Sequence, residues 1–482
     1  MMDAPTVHDC CAPPGVSRRP PDLVVIGAGS AGFAAAIRGA ELGAHVALIG
    51  HGTIGGTCVN IGCVPSKTLI RAAEAVHHAK AASRFAGISG NARLHDWRAL
   101  VAQKDDLVAG LRGAKYAALL PQYDTIRYVE SAARFVGAGV AAASEVFPAE
   151  RVVITTGAAP AAPPIPGLAD LPWLSSTTAL SLDRLPRSLL VIGGGVIGCE
   201  LGQMLARFGV AVTIACRSHL LPGFEPEISA ALTSYLRDEG LTVRCGLGYE
   251  RIRQTEAGIA FDVTVDGRPE TITAEQVLIA TGRTPNTAGL DLDAAGITTD
   301  RQGAIVVDEF LTASRPGIYA AGDVTGRDLH VYMAAYGAKL AAENALNGNA
   351  RRYDARAMPA VVFTDPQAAR VGLTEAEARQ QGHVIRIVAL PLDQVPRALA
   401  ARDTRGLIKL VAEQASGRLL GAHLLAPEGA DAIQTAVLAV KHGLTVSDLA
   451  ETLFPYLTTV EGLKLTALGF EKDLSKLSCC AG

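Results

Sequence analysis

Short apolar runs and helical patterns follow one another in a recognisable order near the start of the chain. The β-branched run Leu23–Ile26 leads into the glycine turn Gly27–Gly32, a helical pattern at Phe33–Leu42 and a second strand pattern at His45–Ile49. Strand, glycine turn and helix in this order are the context that a G-x-G-x-x-G dinucleotide fingerprint requires. The pattern therefore predicts a bound dinucleotide whose pyrophosphate meets the helix N-terminus, and a chance glycine turn is the alternative.

The same arrangement returns in the middle of the chain. The strand pattern Ser188–Ile192 leads into Gly193–Gly198, a helical pattern at Cys199–Phe208 and a strand pattern at Ala211–Ala215. Two well separated fingerprints are far more specific than one. They predict two related domains that bind two different dinucleotides.

Both motifs lack the acidic residue that binds a ribose hydroxyl at the end of the second strand in many such domains. Gly50 stands at that position in the first motif, so the ribose needs another partner or lacks the contact. Ala215 stands there in the second motif, and Arg217 follows it closely. An arginine without a carboxylate favours the 2′-phosphate of NADPH over NADH, although an arginine at a strand end is also common as a surface charge.

The remaining patterns complete these two domains and add a third. The sequence predicts two long helices, two strands and a proline-rich crossover between the motifs, at Lys67–Phe85, Asp96–Gln122, Ile126–Phe135, Glu150–Ile154 and Pro160–Pro172. A further helix is predicted at Val331–Leu346, with His330 at its start as a capping-region residue or, less simply, a catalytic one. From Pro359 onward, strands and helices alternate without a phosphate-binding turn, which predicts an α+β unit.

Composition narrows the possible functions. The chain has 482 residues, of which 49% are hydrophobic and 19% charged, and this length suits about three domains. A net charge of −3 without a basic stripe argues against a nucleic-acid partner. The sequence contains no apolar run that is long enough to predict a membrane span. Residues 1–21 are rich in proline and small residues, which predicts a disordered tail without a secretory signal and hence a cytoplasmic protein.

Nine cysteines fall into three close pairs and three single residues. This distribution suits thiol chemistry in a reducing compartment better than a disulfide framework. The single residues, Cys199, Cys216 and Cys245, are interpreted as small core or edge residues. Cys10 and Cys11 lie in the N-terminal tail, where an inert tail and a soft-ion site both stay open.

Cys58 and Cys63 form the central pair, five positions apart, after the glycines Gly55 and Gly56. A structural disulfide over so short a loop contributes only about 2 kcal/mol, which is little for a chain with a large core. The glycines allow the backbone to approach a flat cofactor, and Lys67 can stabilise a thiolate by its charge. The pair is therefore interpreted as a redox-active dithiol, with a structural bridge as the alternative.

Taken together, GGTCVNIGCVPSK, the two glycine motifs, ATGRTPN, AAGD and the C-terminal unit resemble the pyridine nucleotide–disulfide oxidoreductases from about residue 22 onward. The resemblance implies an α/β protein with two Rossmann-like dinucleotide-binding domains, for FAD and NADPH, and a C-terminal α+β dimerisation domain, as in glutathione reductase. It implies a FAD-binding domain at 22–165 and 291–354, a NADPH-binding domain at 166–290, a dimerisation domain at 355–470 and a mobile tail at 471–482.

The resemblance also assigns roles to individual residues. Cys58 resembles the outward interchange thiol and Cys63 the thiol beside the flavin, while Lys67 is expected near flavin N5 and paired with Glu200. FAD contacts are implied for Gly27, Gly29, Ser30, Ala31, Gly32, Gly56, Thr57, Lys67, Thr156, Gly157, Gly322 and Asp323. Contacts on the NADPH and flavin side are implied for Gly193, Gly195, Val196, Ile197, Gly198, Arg217, Gly282 and Arg283. Val196 stands where some relatives have a tyrosine over the nicotinamide pocket.

Two features point to one branch of this family. Disulfide-reducing members carry an acid–base histidine in a His-Pro-Thr-x-x-Glu segment, and alignment on Glu461 places Tyr456 at that position. A phenol, whose ordinary pKa is near 10, is a poor proton shuttle at neutral pH. PYLTTVEGLK and the terminal pair Cys479-Cys480 both resemble the mercuric reductases. Many members of that branch carry an N-terminal metal-binding domain with a Cys-x-x-Cys loop, whereas this sequence shows only Cys10 and Cys11.

This branch implies NADPH-dependent reduction of thiol-bound Hg(II) to Hg(0) in a homodimer. Cys479 and Cys480 would deliver Hg(II) to Cys58 and Cys63 of the other subunit, with Tyr456 assisting the transfer, so these four sulfurs bind Hg(II) as a substrate. An idle tail is the alternative for Cys479 and Cys480. The rival functions are a lipoamide, glutathione or thioredoxin type of disulfide reductase, and a flavoprotein that acts through partners.

Overall fold

A computed structural model describes residues 19–473 of the chain. The first segment contains four helices and eight strands: β1 Leu23–Ile26, α1 Ser30–Glu41, β2 Val46–Gly50, α2 Gly56–Ile61, α3 Cys63–Lys80, α4 Trp97–Arg112, β3 Ile126–Glu130, β4 Ala133–Val136, β5 Gly139–Ala142, β6 Glu145–Pro148, β7 Val152–Ile154 and β8 Ala158–Pro160.

The middle segment carries the second glycine turn. Its elements are α5 Ser176–Ala179, β9 Ser188–Ile192, α6 Val196–Arg207, β10 Ala211–Ala215, α7 Pro226–Asp238, β11 Thr242–Arg244, β12 Leu247–Thr255, β13 Gly258–Val265, β14 Arg268–Ala274, β15 Gln276–Ile279 and β16 Arg283–Pro285. The chain then returns to the first domain with β17 Ile318–Ala320 and α8 Val331–Asn347.

The last segment forms the third unit. Its elements are β18 Ala360–Val362, β19 Gln367–Gly372, α9 Glu375–Gln380, β20 Ile385–Pro391, α10 Pro396–Ala401, β21 Leu407–Glu413, β22 Leu419–Ala426, α11 Gly429–His442, α12 Val446–Glu451 and α13 Glu461–Leu468. Its five strands form one antiparallel sheet in the order β18-β19-β22-β21-β20. This is the α+β unit that the alternating pattern predicts.

Parallel sheets form the centres of the two dinucleotide-binding domains. The first has the order β17-β7-β1-β2-β3 and the second the order β11-β10-β9-β15. Every residue of β1, β2 and β7 is buried, as expected for parallel strands with helices on both faces. Both glycine turns therefore lie at the carboxyl ends of buried parallel strands, where open α/β sheets bind their ligands.

Besides the pairing of β8 with β16, two antiparallel sheets of three strands were not predicted, and one predicted strand is wrong. The strand predicted at 126–135 is divided between β3, which joins the parallel sheet, and β4, which starts a separate sheet of β4, β5 and β6. The second unpredicted sheet consists of β12, β13 and β14. A predicted strand carries no information about its partner strands, so the sequence did not predict these two sheets.

Two predicted helices also differ from the structure in their bounds. The helix predicted from Lys67 already begins at Cys63 and gives way to a 3-10 turn at Ala81–Arg84. The helix predicted over 96–122 ends at Arg112, followed by a π turn and a 3-10 turn. The earlier start of α3 matters for the site, because it places Cys63 in the first turn of a long helix. Among the described residues, no helix is long and apolar enough to cross a membrane.

Candidate active site

A cavity of about 1540 Å³ opens between the two glycine turns. Its wall contains most of the residues that the sequence singles out: Gly27, Gly29, Ser30, Ala31, Gly56, Thr57, Cys58, Cys63, Lys67, Thr156, Gly157, Gly193, Gly195, Val196, Ile197, Glu200, Arg217, Gly282, Arg283 and Asp323. The fold thus brings the two fingerprints and the cysteine pair, which are far apart in sequence, to one continuous surface.

Three singled-out glycines lie outside this wall and serve packing. A Cβ atom on Gly32 would lie 1.7 Å from the carbonyl oxygen of Gly27, and one on Gly198 would lie 2.0 Å from that of Gly193. These are the third glycines of the fingerprints, where helix and strand pack closely. Gly322 has a φ of 77°, in the left-handed region that favours glycine.

The helix N-termini next to the glycine turns fit phosphate groups. Helices α1 and α6 start after Gly29 and Gly195, which lie on the cavity wall. Neither helix has a side-chain cap or an acidic residue in its first turn. Their terminal N–H groups and positive dipole ends therefore suit the pyrophosphate of a dinucleotide. The residues present fit one dinucleotide at each turn, FAD at the first and NADPH at the second.

The segment before Cys58 packs directly on the first glycine turn. The Gly55 N–H donates to the Ala28 carbonyl oxygen over 2.9 Å, and a Cβ atom on Gly56 would lie 2.6 Å from the Gly29 Cα atom. Gly55 and Gly56 also have φ values of 95° and 67°. Only glycine meets both demands, and this contact places the short helix α2, with Cys58, beside the nucleotide turn.

The two thiols of the central pair shift each other's pKa in opposite directions. A hydrogen bond from Cys58 and, to a lesser degree, the charge of Lys67 lower the pKa of Cys63 to about 7. The same hydrogen bond and burial raise the pKa of Cys58 well above its usual range. The lowered pKa favours the thiolate on Cys63, in the first turn of α3, and Lys67 lies one turn further along the same helix.

Lys67, whose charge favours this thiolate, forms an ion pair across the domain boundary. Lys67 Nζ lies 2.7 Å from Glu200 Oε2, and only 4% of the Glu200 side chain is exposed. The other carboxylate oxygen of Glu200 accepts a hydrogen bond from the Phe363 N–H over 2.8 Å. Lys67 Nζ also lies 4.9 Å from the centroid of the Phe363 ring. Helix α3 is thereby tied to α6 of the second domain and to the third unit.

The cavity wall also contains residues that no sequence pattern singled out, among them Phe363, Tyr332 and His219. The Tyr332 hydroxyl donates to the Pro359 carbonyl oxygen, and burial together with the nearby Cys63 charge raises the pKa of Tyr332 to about 12. Tyr332 also stacks on His330, with ring centroids 5.2 Å apart. His330 is the N-cap residue of α8, but its side chain makes no cap hydrogen bond, and burial lowers its pKa. No sequence motif marks Tyr332 and Phe363, because helix α8 and the third unit bring these two residues to the cavity by tertiary packing.

The positions at which an acidic residue would bind a ribose hydroxyl have different surroundings in the two motifs. A Cβ atom on Gly50 would lie 2.4 Å from the Ala28 Cβ atom, so this position leaves no room for an acidic side chain. His51 and Thr53 are the polar residues of the cavity wall that follow it. At the second motif, Arg217 lies on the wall beside Ser218 and His219.

Asp323 and Arg283 face each other at the cavity, with Arg283 Nε 3.5 Å from Asp323 Oδ2. Burial raises the pKa of the Asp323 carboxyl, and the charge of Arg283 opposes that shift. Asp323 thus offers a half-buried acceptor at the cavity, and its contact with the ribityl group stays a prediction.

The remaining predicted residues are not part of the described wall. Tyr456 follows α12 in the third unit, and 49% of it is exposed. Cys479, Cys480, Cys10 and Cys11 lie outside the described residues.

A group of three carboxylates elsewhere has the spacing of a metal site. The group consists of Glu225, Glu227 and Glu375, whose oxygens lie within 4.8 Å of one another. Lys409 Nζ lies 2.9 Å from an oxygen of each, so an ammonium group already supplies the positive charge. The group therefore links the second domain to the third unit and is not a metal centre.

The chain matches two family models. Residues 21–342 match the pyridine nucleotide-disulphide oxidoreductase model, and residues 358–467 match the model of its dimerisation domain. These two regions correspond to the two dinucleotide-binding domains and to the third unit.

Curated relatives align along nearly the whole chain. A mercuric reductase of Lysinibacillus sphaericus is 46% identical over 463 residues, 96% of this chain and 84% of the relative. A mercuric reductase of Streptomyces lividans is also 46% identical, over 96% of this chain and 98% of the relative.

Solved structures agree on the fold. The Cu(II) complex of the flavoprotein disulfide reductase RclA from Escherichia coli has a TM-score of 0.82 and 32% identity, and covers 94% of this chain and 100% of its own. LpdA from Mycobacterium tuberculosis has a TM-score of 0.83 and 26% identity, and covers 93% of this chain and 100% of its own. The predicted glutathione-reductase-like α/β architecture is confirmed, and the chain belongs to the pyridine nucleotide-disulphide oxidoreductase family.

Proposed function

We propose that this protein catalyses the NADPH-dependent two-electron reduction of thiol-bound Hg(II) to Hg(0). The observation that carries the proposal is the dithiol of Cys58 and Cys63, which opens on the cavity between both glycine turns. Soft sulfur ligands select a soft ion such as Hg(II) over ions that prefer oxygen or nitrogen. Two curated relatives that align along 96% of this chain are named mercuric reductases.

The chain's own residues bind and position the reactants. The Cys63 thiolate displaces one small thiolate from the incoming Hg(II) complex, and Cys58 displaces the second after passing its proton to a leaving thiolate. Lys67 is held in place by Glu200, and its positive charge stabilises the thiolate form of Cys63. When bound, FAD supplies the relay that carries two electrons from NADPH to this site. Hg(II) takes up those electrons and leaves as Hg(0), which frees both thiolates.

The cofactors are bound by groups that the cavity wall supplies. The N-termini of α1 and α6 receive the pyrophosphates of FAD and NADPH, respectively. Arg217 binds the 2′-phosphate of NADPH, for which its charge is suited. Asp323 accepts a hydrogen bond from the ribityl chain of FAD.

The working unit is a homodimer assembled by the third unit, in keeping with its dimerisation-domain match. Tyr456 is half-exposed on its own chain and outside the cavity wall, so its role requires a cavity on another subunit. Cys479 and Cys480 of the partner subunit hand Hg(II) to Cys58 and Cys63, and Tyr456 of the partner subunit assists the exchange. The reaction takes place in the cytoplasm, where thiols stay reduced.

The test compares electron acceptors with the same FAD-loaded enzyme under argon. NADPH oxidation is measured with Hg(II) in excess cysteine, with oxidised lipoamide, with glutathione disulfide and with oxidised thioredoxin. We expect turnover with Hg(II) and none above background with the three disulfides. Turnover with a disulfide and none with Hg(II) would instead identify a disulfide reductase and show that Tyr456 had been misinterpreted.

A further inference from the structure

A second pair of cysteines meets in the NADPH-binding domain. Strands β10 and β11 are parallel, with Ala215 opposite Arg244, so the next residues, Cys216 and Cys245, lie side by side at the strand ends. The Cys216 N–H donates to the Arg244 carbonyl oxygen over 2.9 Å, which extends the pairing by one residue. The two Sγ atoms are 3.3 Å apart. Both cysteines are free thiols in the structure.

This pair borders the second glycine turn. Cys216 is part of the cavity wall and precedes Arg217. Its Sγ atom lies 3.2 Å from the position that a Cβ atom on Gly194 would take. A group bound to the two sulfurs would therefore lie against the turn that receives the NADPH pyrophosphate and beside the arginine for its 2′-phosphate.

The surroundings favour one thiolate in this pair, as in the pair of Cys58 and Cys63. A hydrogen bond from Cys216 and the charges of Arg237 and His219 lower the pKa of Cys245 to about 6. Cys199 lies in the same domain but is fully buried, and burial raises its pKa. Small core residues such as Cys199 are kept as inert thiols, whereas Cys245 is half-buried and its lowered pKa favours the thiolate.

We propose that Cys216 and Cys245 form a second binding site for a soft thiophilic ion such as Hg(II), and that occupancy of this site weakens NADPH binding. Binding forms two metal–sulfur bonds, releases one proton from Cys216 and sets free two small thiolates from the incoming complex. Metal–sulfur bonds of about 2.3 Å span sulfur separations of up to about 4.6 Å, so binding moves the two sulfurs apart from their separation of 3.3 Å by rotation of a cysteine side chain. No electron transfer is involved, so this site goes beyond the proposed reduction.

The test removes the other paired thiols first. A background variant of the FAD-loaded full chain carries alanine at Cys10, Cys11, Cys58, Cys63, Cys479 and Cys480. It is dialysed to equilibrium under argon against Hg(II) buffered by cysteine, and the bound metal is counted per FAD. We expect one Hg(II) per chain. Adding Cys216→Ser and Cys245→Ser should remove it, whereas adding the matched control Cys199→Ser should leave it in place.

The same variants test the coupling to NADPH. We expect one equivalent of Hg(II) to weaken NADPH binding to the background variant by about tenfold or more, and to have no effect once Cys216 and Cys245 are serine. A background variant that retains no Hg(II), or retention without these two thiols, would overturn the site. An unchanged NADPH affinity on loading would overturn the coupling. Since no turnover is measured, these outcomes are independent of whether the enzyme reduces Hg(II).

Discussion

The two dinucleotide-binding domains of this molecule are built alike, and each places a pair of thiols beside its glycine turn. In the first domain, Cys58 and Cys63 are contributed by α2 and α3, a few residues apart in sequence. In the second, Cys216 and Cys245 lie at the ends of two parallel strands, 29 residues apart. The shared fold therefore provides two settings for a dithiol, one at helix N-termini and one at strand ends.

The difference between the pairs lies in their charged neighbours. Lys67 reaches the first pair from within its own helix and is tied to Glu200 across the domain boundary. The second pair is influenced by Arg237 and His219, and next to it lies Arg217 on the cavity wall. One pair is thus arranged beside the site for electron transfer and the other beside the site for nucleotide binding. The two cysteine pairs differ in role because they lie beside different cofactor sites, and the acidity of their thiols contributes less to this difference.

Removal of Cys63 should have the largest effect. We expect Cys63→Ala to lower Hg(II)-dependent NADPH oxidation by about 10³-fold or more, because the thiolate that binds the substrate is lost. Steady-state turnover with Hg(II) in excess cysteine measures the effect. Cys199→Ser, which changes a buried thiol that is not part of the cavity wall, is the matched control and should retain turnover. A wild-type rate in Cys63→Ala would show that the pair of Cys58 and Cys63 does not have the role in electron transfer that separates it from the pair of Cys216 and Cys245.

Arg217→Ala should have the next largest effect, confined to one nucleotide. Loss of a charge-assisted hydrogen bond to the 2′-phosphate costs about 1.5–3 kcal/mol, which corresponds to roughly a 10- to 150-fold higher KM for NADPH. NADH lacks this phosphate, so its KM should hardly change. The ratio of the two KM values is the measurement. An equal rise for both nucleotides would show that Arg217 supports the fold of the turn without reading the phosphate.

Tyr456→Phe should lower kcat for Hg(II) by about tenfold, the contribution of one hydroxyl hydrogen bond in the transfer step. The half-exposed position of Tyr456 predicts an unchanged melting temperature. Flavin reduction by NADPH in the absence of Hg(II), followed by stopped-flow absorbance, should also keep its rate. Slower flavin reduction in this variant would place Tyr456 outside the metal-transfer step.

The Lys67 and Glu200 pair should shift the acidity of Cys63 in opposite directions and have the smallest effects on rate. Lys67 lowers and Glu200 raises the pKa of Cys63. Lys67→Met should therefore raise this pKa from about 7 by about one unit, and Glu200→Gln should lower it. Below its pKa the thiolate is lost, so activity falls as pH decreases through this value.

Ultraviolet absorbance of the thiolate against pH measures both shifts. At pH 7 the lysine variant should lose several-fold in thiolate content, while the glutamine variant should gain at most about twofold. Shifts in the same direction would show that the two charges do not act on Cys63 separately.

Local sequence patterns predicted those elements whose bounds are determined by neighbouring residues in the chain. The strands Ser188–Ile192 and Ala211–Ala215 have the predicted bounds, because β-branched runs and glycine turns define them locally. The pairing of Lys67 with Glu200, 133 residues apart, was expected only from the family resemblance. Sequence patterns alone carry no signal for such distant partners.

The contacts that were missed depend on strand pairing or on packing between domains. Cys216 and Cys245 were interpreted as separate core or edge residues, since only the register of β10 and β11 brings them together. Phe363 reaches Lys67 from the third unit, and Tyr332 reaches the cavity from α8. The split between β3 and β4 was missed for the same reason, because a strand pattern does not indicate its partner strand.

The central claim is that electrons from NADPH reach Hg(II) at the dithiol of Cys58 and Cys63. The most direct measurement is the amount of mercury vapour released per NADPH oxidised, under argon, with Hg(II) in excess cysteine. We predict about one Hg(0) per NADPH for the wild-type protein, and no vapour from Cys58→Ala/Cys63→Ala. NADPH oxidation without mercury vapour from the wild-type protein, or equal vapour from the double variant, would contradict this claim.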